Sequence, residues 1–290
     1  MSGPEATGAE RPSEIDYVER WRQLVQARTD QGRRLDTQYQ RGDEWAGCAE
    51  RFRRLTAAVT HGGTVDPFLD LVRPHVRPEA TVLDVGAGAG RHVAALAPQV
   101  AQVVAVEPSA AMREQMAIVV REANLINVEV VPESWPSARV EPADIVICSH
   151  VAYFTEDIAT FLRRLDEVTR GHCFITLRNE QREIATVELF ERVWGEPRCP
   201  EPTFVDLFGA AIQLGLRPRA VTIPFSINPG FASPEDAVPM VRATLLNPEG
   251  REVDAKLRAY LAERLVQRDG AWYWNVPPTS AGVLSWERTN

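Results

Sequence analysis

Residues 82–92 read VLDVGAGAGRH: an apolar run around Asp84, glycines at 86, 88 and 90, then Arg91 and His92. A β-branched apolar run that stops at glycines reads as a strand entering a tight turn, and the residues beyond it read as a helix. Glycines in such a turn let the backbone bend sharply and approach a ligand with no Cβ in the way, while the helix start offers N–H groups to a negative group. A nucleotide-like ligand is the expectation. The spacing narrows it: the pattern is G-x-G-x-G, so the third glycine comes one residue early for the dinucleotide fingerprint, and no Gly-Lys-Ser/Thr phosphate loop follows.

Outward from this stretch the same rhythm repeats. TVLDVG leads to a helical stretch from Gly90 to Leu96, VVAVE to one from Ser109 to Ala123, VEVV to a loop, and DIVICS to one from Asp157 to Thr169, before CFITL. Continuous apolar runs mark strands buried on both faces, so the fold class is a doubly wound α/β core with a parallel sheet. VVAVE ends in Glu107, 17 residues after Gly90. A carboxylate at the end of that strand can accept both hydroxyls of an adenosine ribose.

Asp84-x-Gly86-x-Gly88-x-Gly90 followed by Glu107 resembles the cofactor motifs of the class I S-adenosylmethionine-dependent methyltransferases. The resemblance runs from Val82 to the C-terminus and is strongest through residue 177. It implies a Rossmann-like seven-stranded sheet, mostly parallel with the last strand antiparallel, and S-adenosylmethionine as cofactor. Carried over residue by residue, the cofactor set is Asp84, Gly86, Ala87, Gly88 and Gly90 in the loop, Glu107, Pro108 and Met112 after the second strand, Glu133 and Ser134 in VVPESWP, and Ser149. His150, at the end of the fourth strand, is the candidate catalytic base, since a histidine near neutrality suits proton removal from an acceptor. Trp135 is a core candidate.

The acceptor should be specified by the segments outside the core. Residues 1–13 read as a disordered tail and 14–60 as an N-terminal helical cap, with stripes at Ile15, Val18, Trp21, Leu24 and Val25 and, after a break at Gly42, at Trp45, Ala49, Phe52, Leu55 and Val59. On this resemblance the methyltransferase core would span residues 61–290. After Leu177 the reading is a helix from Glu183 to Trp194 stopped at Gly195, a helix capped by Thr203 and Asp206 that runs to Leu214, and the strand RAVTIPFSI. Residues 234–268 read as two helical stretches broken near Asn247-Pro248 and stopped at Gly270, and AWYWNV and GVLSWER as a final strand pair. The helical insertion 230–270 would serve with the cap as a substrate lid. Tyr39, Trp45, Tyr153, Phe154, Trp194 and Phe231 are aromatic candidates for its walls, and Arg178 with Asn179 for orienting an acidic acceptor.

Composition bounds the rest. A chain of 290 residues that is 44% hydrophobic and 25% charged is ordinary for a globular protein, and no apolar run reaches the roughly 18 residues of a membrane span. The net charge of −8 disfavours nucleic acid, although residues 20–54 carry nine Arg against five acids. The fourth strand continues as Ser-His-Val-Ala, without the Asn/Asp-Pro-Pro-aromatic motif of amino-methylating DNA enzymes. Cys48, Cys148, Cys173 and Cys199 show neither disulfide nor metal spacing, so no metal is expected and a reducing cytoplasm is the expected location. The reading is therefore O- or N-methylation of a small molecule by a monomer or homodimer away from membranes. The alternative is a non-catalytic sensor or partner subunit that keeps the cofactor site.

Overall fold

The computed structural model describes residues 15–36, 43, 45, 49–50, 52–53, 56, 66–181, 185–225 and 230–288. The predicted tail, Gly42, Tyr39, Leu55 and Val59 lie outside the described residues. Of the second predicted cap helix, Ala49, Glu50, Phe52, Arg53 and Thr56 are described, all helical.

A seven-stranded sheet organises the chain, formed by β1 (Thr81–Val85), β2 (Gln102–Val106), β3 (Val128–Val131), β4 (Ala143–Ser149), β5 (Thr169–Arg178), β6 (Arg219–Pro224) and β9 (Ser280–Glu287). Its order is β3-β2-β1-β4-β5-β9-β6. β9 pairs antiparallel with both β5 and β6, and the other pairings are parallel. The chain steps from β1 outward to β2 and β3, then crosses back to β4 on the other side of β1. That reversal puts the topological switch point, where ligands bind in open α/β sheets, at the C-terminal ends of β1 and β4.

Strand alternation splits the core into two layers. Leu83, Val85, Val146 and Cys148 face a cluster with Trp21, Phe161, Leu162 and Leu207, whereas Val82, Ile145 and Ile147 face one with Phe68, Leu69, Val93 and Leu96. Helices α1 (Tyr17–Leu35), α5 (Ile158–Glu167) and α7 (Phe204–Gln213) cover the first face; α2 (Pro67–Val72) and α3 (Arg91–Leu96) contribute to the second. In α5, Ile158, Phe161, Leu162 and Leu165 recur at helical spacing and are all buried, and Asp157 caps the helix by accepting the Thr160 N–H at 2.9 Å. In α7 the Asp206 carboxylate takes the Thr203 N–H at 2.9 Å, as the sequence pattern predicts, and also Arg20 Nε of α1 at 2.7 Å. The remaining core helix is α4 (Ala110–Glu122).

The region after β5 departs from the sequence reading in two places. Helix α6 is Val187–Trp194, shorter than expected from Glu183, although Gly195 stops it in a left-handed conformation. More substantially, AWYWNV and GVLSWER do not pair. β8 (Ala271–Trp274) pairs with the preceding β7 (Leu265–Arg268) in a separate hairpin, and GVLSWER enters the main sheet as β9. The physical reason lies in Asp269-Gly270, both at positive φ (49° and 78°), which form a two-residue hairpin turn rather than a helix stop. The insertion, with α8 (Val238–Thr244) and α9 (Arg251–Arg264), buries Val241, Leu245, Leu257 and Leu261 in a third cluster with Leu189 and Phe190 of α6.

Candidate active site

Three glycines shape the turn after β1, and they do different work. Gly86, Gly88 and Gly90 have φ of 73°, 57° and 84°. A Cβ on Gly86 would stand 2.3 Å from Val151, and one on Gly90 2.8 Å from Met116, so both positions are closed by the protein itself. A Cβ on Gly88 would meet no heavy atom of the described residues within 4 Å. The loop therefore has one position with open space above its backbone, the half-buried Gly88. Ala87 beside it is buried.

Glu107 reaches this cradle from the end of β2. Its Oε2 accepts the Gly88 N–H and its Oε1 the Ser109 N–H, each at 2.8 Å. The residue is buried, and burial lifts its carboxyl above the ordinary value against the opposing pull of those two donors. Each oxygen keeps acceptor capacity beyond its one backbone donor.

Asp84 continues the Val82 row of β1, so its carboxyl lies beneath the loop, 1% exposed. Oδ2 has no hydrogen-bond partner among the described residues and lies 4.0 Å from His92 Nδ1, while His92 Nε2 lies 3.7 Å from Asp66 Oδ2. Arg91 pairs with that Asp66 oxygen at 3.1 Å. Burial, with the nearby Glu107 charge, pushes the Asp84 carboxyl up to about 7 against the pull of Arg91. Burial and Arg91 push His92 down to about 4, so both are neutral between those values. Asp66, whose burial alone would raise it, is held below its ordinary value by His92 and Arg91.

The N-terminal segment crosses this edge. The Asp43 carboxylate accepts the Ser109 hydroxyl at 2.8 Å and the Ala111 N–H at 2.9 Å, and these contacts hold its carboxyl below the ordinary range. Ala49 packs with Ala89 of the loop and with Met112, which is buried beneath them. Trp45 makes edge contacts with Phe52 on one side and with Phe154 after β4 on the other, at 5.8 and 6.1 Å between centroids. Local sequence carries no signal for Asp43, which meets its partners across 66 and 68 positions.

Of the other predicted cofactor residues, Pro108, Glu133 and Ser134 are exposed, and the Glu133 carboxylate takes the Arg139 N–H at 3.1 Å. Trp135 is half-buried against Phe161. Ser149 ends β4 beside His150, which adopts a left-handed φ of 60°. His150 Nδ1 is 3.0 Å from the Tyr153 hydroxyl, whose oxygen also takes the Arg178 backbone N–H at 2.9 Å. Burial, then the charges of Arg178 and Arg91, hold His150 well below its ordinary value, so its imidazole is neutral at physiological pH. Asn179 donates to Ser280 Oγ at 2.8 Å. Trp194 and Phe231 pack in the insertion cluster.

Residues 82–172, from β1 into β5 and thus including the loop, Glu107 and His150, match the family model described as a methyltransferase domain. Over that span the chain is similar to a methyltransferase domain. The cofactor of such a domain is S-adenosylmethionine, and the open cradle at Gly88 beside a buried carboxylate is a donor set that fits a nucleoside. Among solved structures, the YcgJ protein from Bacillus subtilis is similar at 14% identity and a TM-score of 0.52 over 77% of this chain and 98% of that one. A Bacillus halodurans protein described as a methyltransferase gives 15% identity and 0.50 over 77% and 99%. An S-adenosylmethionine-dependent methyltransferase from Geobacter sulfurreducens, solved with S-adenosyl-L-homocysteine, gives 15% and 0.47 over 80% and 98%. At these identities the likeness is one of fold. Comparison with curated proteins by sequence finds no match. No helix among the described residues is long and apolar enough to cross a membrane.

Proposed function

We propose that this methyltransferase domain transfers a methyl group to an oxygen or nitrogen of a small-molecule acceptor. The observation that carries the reading is the Gly88 cradle against Glu107. Glu107 would take the ribose hydroxyls, with Gly86, Ala87, Gly88 and Gly90 forming the backbone floor. Pro108 and Met112 would line the adenosine side, Glu133 and Ser134 the adenine edge, and Ser149 the methionine end. Asp84 supports the loop from beneath. When bound, the sulfonium supplies an activated methyl group, so the protein's task is to hold the acceptor in line in a dry pocket.

His150 is the residue we place against the acceptor, because it stands at the switch point beside Ser149. The segment around Asp43, Trp45, Ala49 and Phe52, together with the insertion 230–270, forms the lid that keeps water out. The net charge of −8 and the Ser-His-Val-Ala sequence after β4 favour a metabolite over nucleic acid. Incubation with methyl-labelled S-adenosylmethionine and a small-molecule extract, read by mass spectrometry, tests this. A labelled metabolite is expected. Label appearing only on nucleic acid or protein, or no transfer to any fraction, would contradict it.

A further inference from the structure

Two carboxylates from separate parts of the chain meet on one serine. Ser109 is buried, and it gives its main-chain N–H to Glu107 Oε1 at 2.8 Å and its hydroxyl proton to the Asp43 carboxylate, whose oxygens lie 2.8 and 2.9 Å away. An ionised carboxylate only accepts, so the direction of that second bond is fixed. The Ser109 oxygen meanwhile accepts the Met112 N–H at 3.0 Å and so caps α4. With its N–H, its O–H and a lone pair engaged, Ser109 has one orientation, and the donor it presents to Glu107 is fixed with it.

Asp43 is itself held in place. Its Oδ1 takes the Trp45 N–H at 3.1 Å and its Oδ2 the Ala111 N–H at 2.9 Å, in the first turn of α4. A carboxylate is favoured at a helix start, and these donors keep the Asp43 carboxyl below its ordinary range. Two more contacts follow along the same helix: Ala49 packs with Met112, and Arg53 Nε donates to Gln115 Oε1 at 3.1 Å. Asp43, Ala49 and Arg53 therefore follow α4 from its start. Within α4, Arg113 Nη1 donates to Glu107 O and Pro108 O, at 2.9 and 2.6 Å. Residues 107–109 are thus gripped by Arg113 and by Asp43. The Asp43 charge opposes ionisation of Glu107 while that of Arg113 favours it, so what Asp43 contributes to Glu107 is geometry rather than charge.

We propose that Asp43 is a positioning residue for cofactor binding: by holding Ser109 it aims the Glu107 carboxylate at the ribose, so the nucleoside site is complete only with Asp43 docked on α4. This rests on the reading that Glu107 takes the ribose hydroxyls. It extends that site to a residue outside the span 82–172 that matches the methyltransferase model.

The test titrates the full chain calorimetrically with S-adenosylhomocysteine and with its 2′-deoxyribose analogue, and the ratio of the two affinities is the readout. That ratio isolates a ribose hydroxyl and is unaffected by any fraction of a variant that fails to fold. The wild type should favour the ribose ligand by about tenfold or more, and Glu107→Ala should bring the ratio to about one. Asp43→Ala should shrink the ratio about fivefold or more, with Asp43→Asn, which keeps one acceptor oxygen, in between. Ser109→Ala should shrink it likewise, and adding Asp43→Ala to that variant should change it by less than about twofold, since both act through one path. A wild-type ratio in Asp43→Ala, or effects of the two substitutions that multiply in the double variant, would overturn this inference while leaving Glu107 on the ribose. Equal binding of both ligands by the wild type would remove Glu107 from the ribose, and no binding of either would remove the methyltransferase reading; the inference falls with each.

Discussion

The two halves of the switch point are built from different materials. On the β1–β2 side the site is mainly backbone: three positive-φ glycines and a carboxylate held by two main-chain N–H groups. On the β4–β5 side it is mainly side chains brought from distant places: His150, Tyr153, Arg178 and Phe225, and just beyond β5 Gln181 exchanges hydrogen bonds with the Glu201 backbone in a loop that α1 ties down. In that loop Arg28 donates to Cys199 O at 2.6 Å and lies 3.7 Å from Glu201, both side chains nearly fully buried. A backbone site suits a cofactor common to many enzymes. A side-chain site can be rebuilt for each acceptor without disturbing the other half.

The largest expected effect comes from breaking the second half at its anchor. Arg28→Ala leaves Glu201 buried beside a lost cation and should cost about 3–5 kcal/mol in denaturant unfolding. S-adenosylhomocysteine affinity of the folded protein should stay within about twofold, and a parallel collapse would erase the division between the halves. Next is Gly86→Ala, whose Cβ would press on Val151 in a strained conformation. It should cost about 3 kcal/mol by the same measurement. Gly88→Ala should cost only about 1 kcal/mol of stability, because its Cβ enters open space, yet weaken cofactor binding by about tenfold or more. Equal stability losses for the two glycines would show that the cradle is placed wrongly.

The smallest effect concerns the pair beneath the loop. Asp84, raised to about 7, binds more protons folded than unfolded from its ordinary value of 3.8 upward, so its contribution falls as pH rises toward 7. His92, lowered to about 4, binds fewer protons folded than unfolded below its ordinary 6.5, so its contribution falls as pH drops from 6.5 toward 4. In that shared window the two oppose each other. Melting temperature measured across it should therefore rise more steeply with pH in Asp84→Asn than in wild type, and should turn downward with rising pH in His92→Gln. Identical slopes in all three would contradict the buried pair.

The same contrast decides what was legible in the sequence. The glycine spacing, Glu107 and the Thr203–Asp206 cap are local patterns, and backbone geometry follows from them within a few residues. Asp43 on Ser109, Tyr153 between His150 and Arg178, and Arg28 against Glu201 are set by folding, which brings distant polar groups together without any local periodicity. The misread hairpin has a different origin. A glycine ending a helix and one closing a two-residue β-turn share positive φ, so Asp269-Gly270 fits both, and the pairing of Leu265 with Trp274 settles it. His150 stands out in the sequence by its position at the strand end, whereas nothing local announces its Nδ1 contact with the Tyr153 hydroxyl.

The measurement that bears most directly on the cofactor site is calorimetric titration of S-adenosylhomocysteine into the wild-type chain and into Glu107→Ala. Saturable one-to-one binding to the wild type is predicted, with a loss of about a hundredfold or more in the variant as two charge-assisted hydrogen bonds to the ribose disappear. No binding to the wild type, or equal affinity in both proteins, would contradict the placement of the cofactor at Gly88 and Glu107.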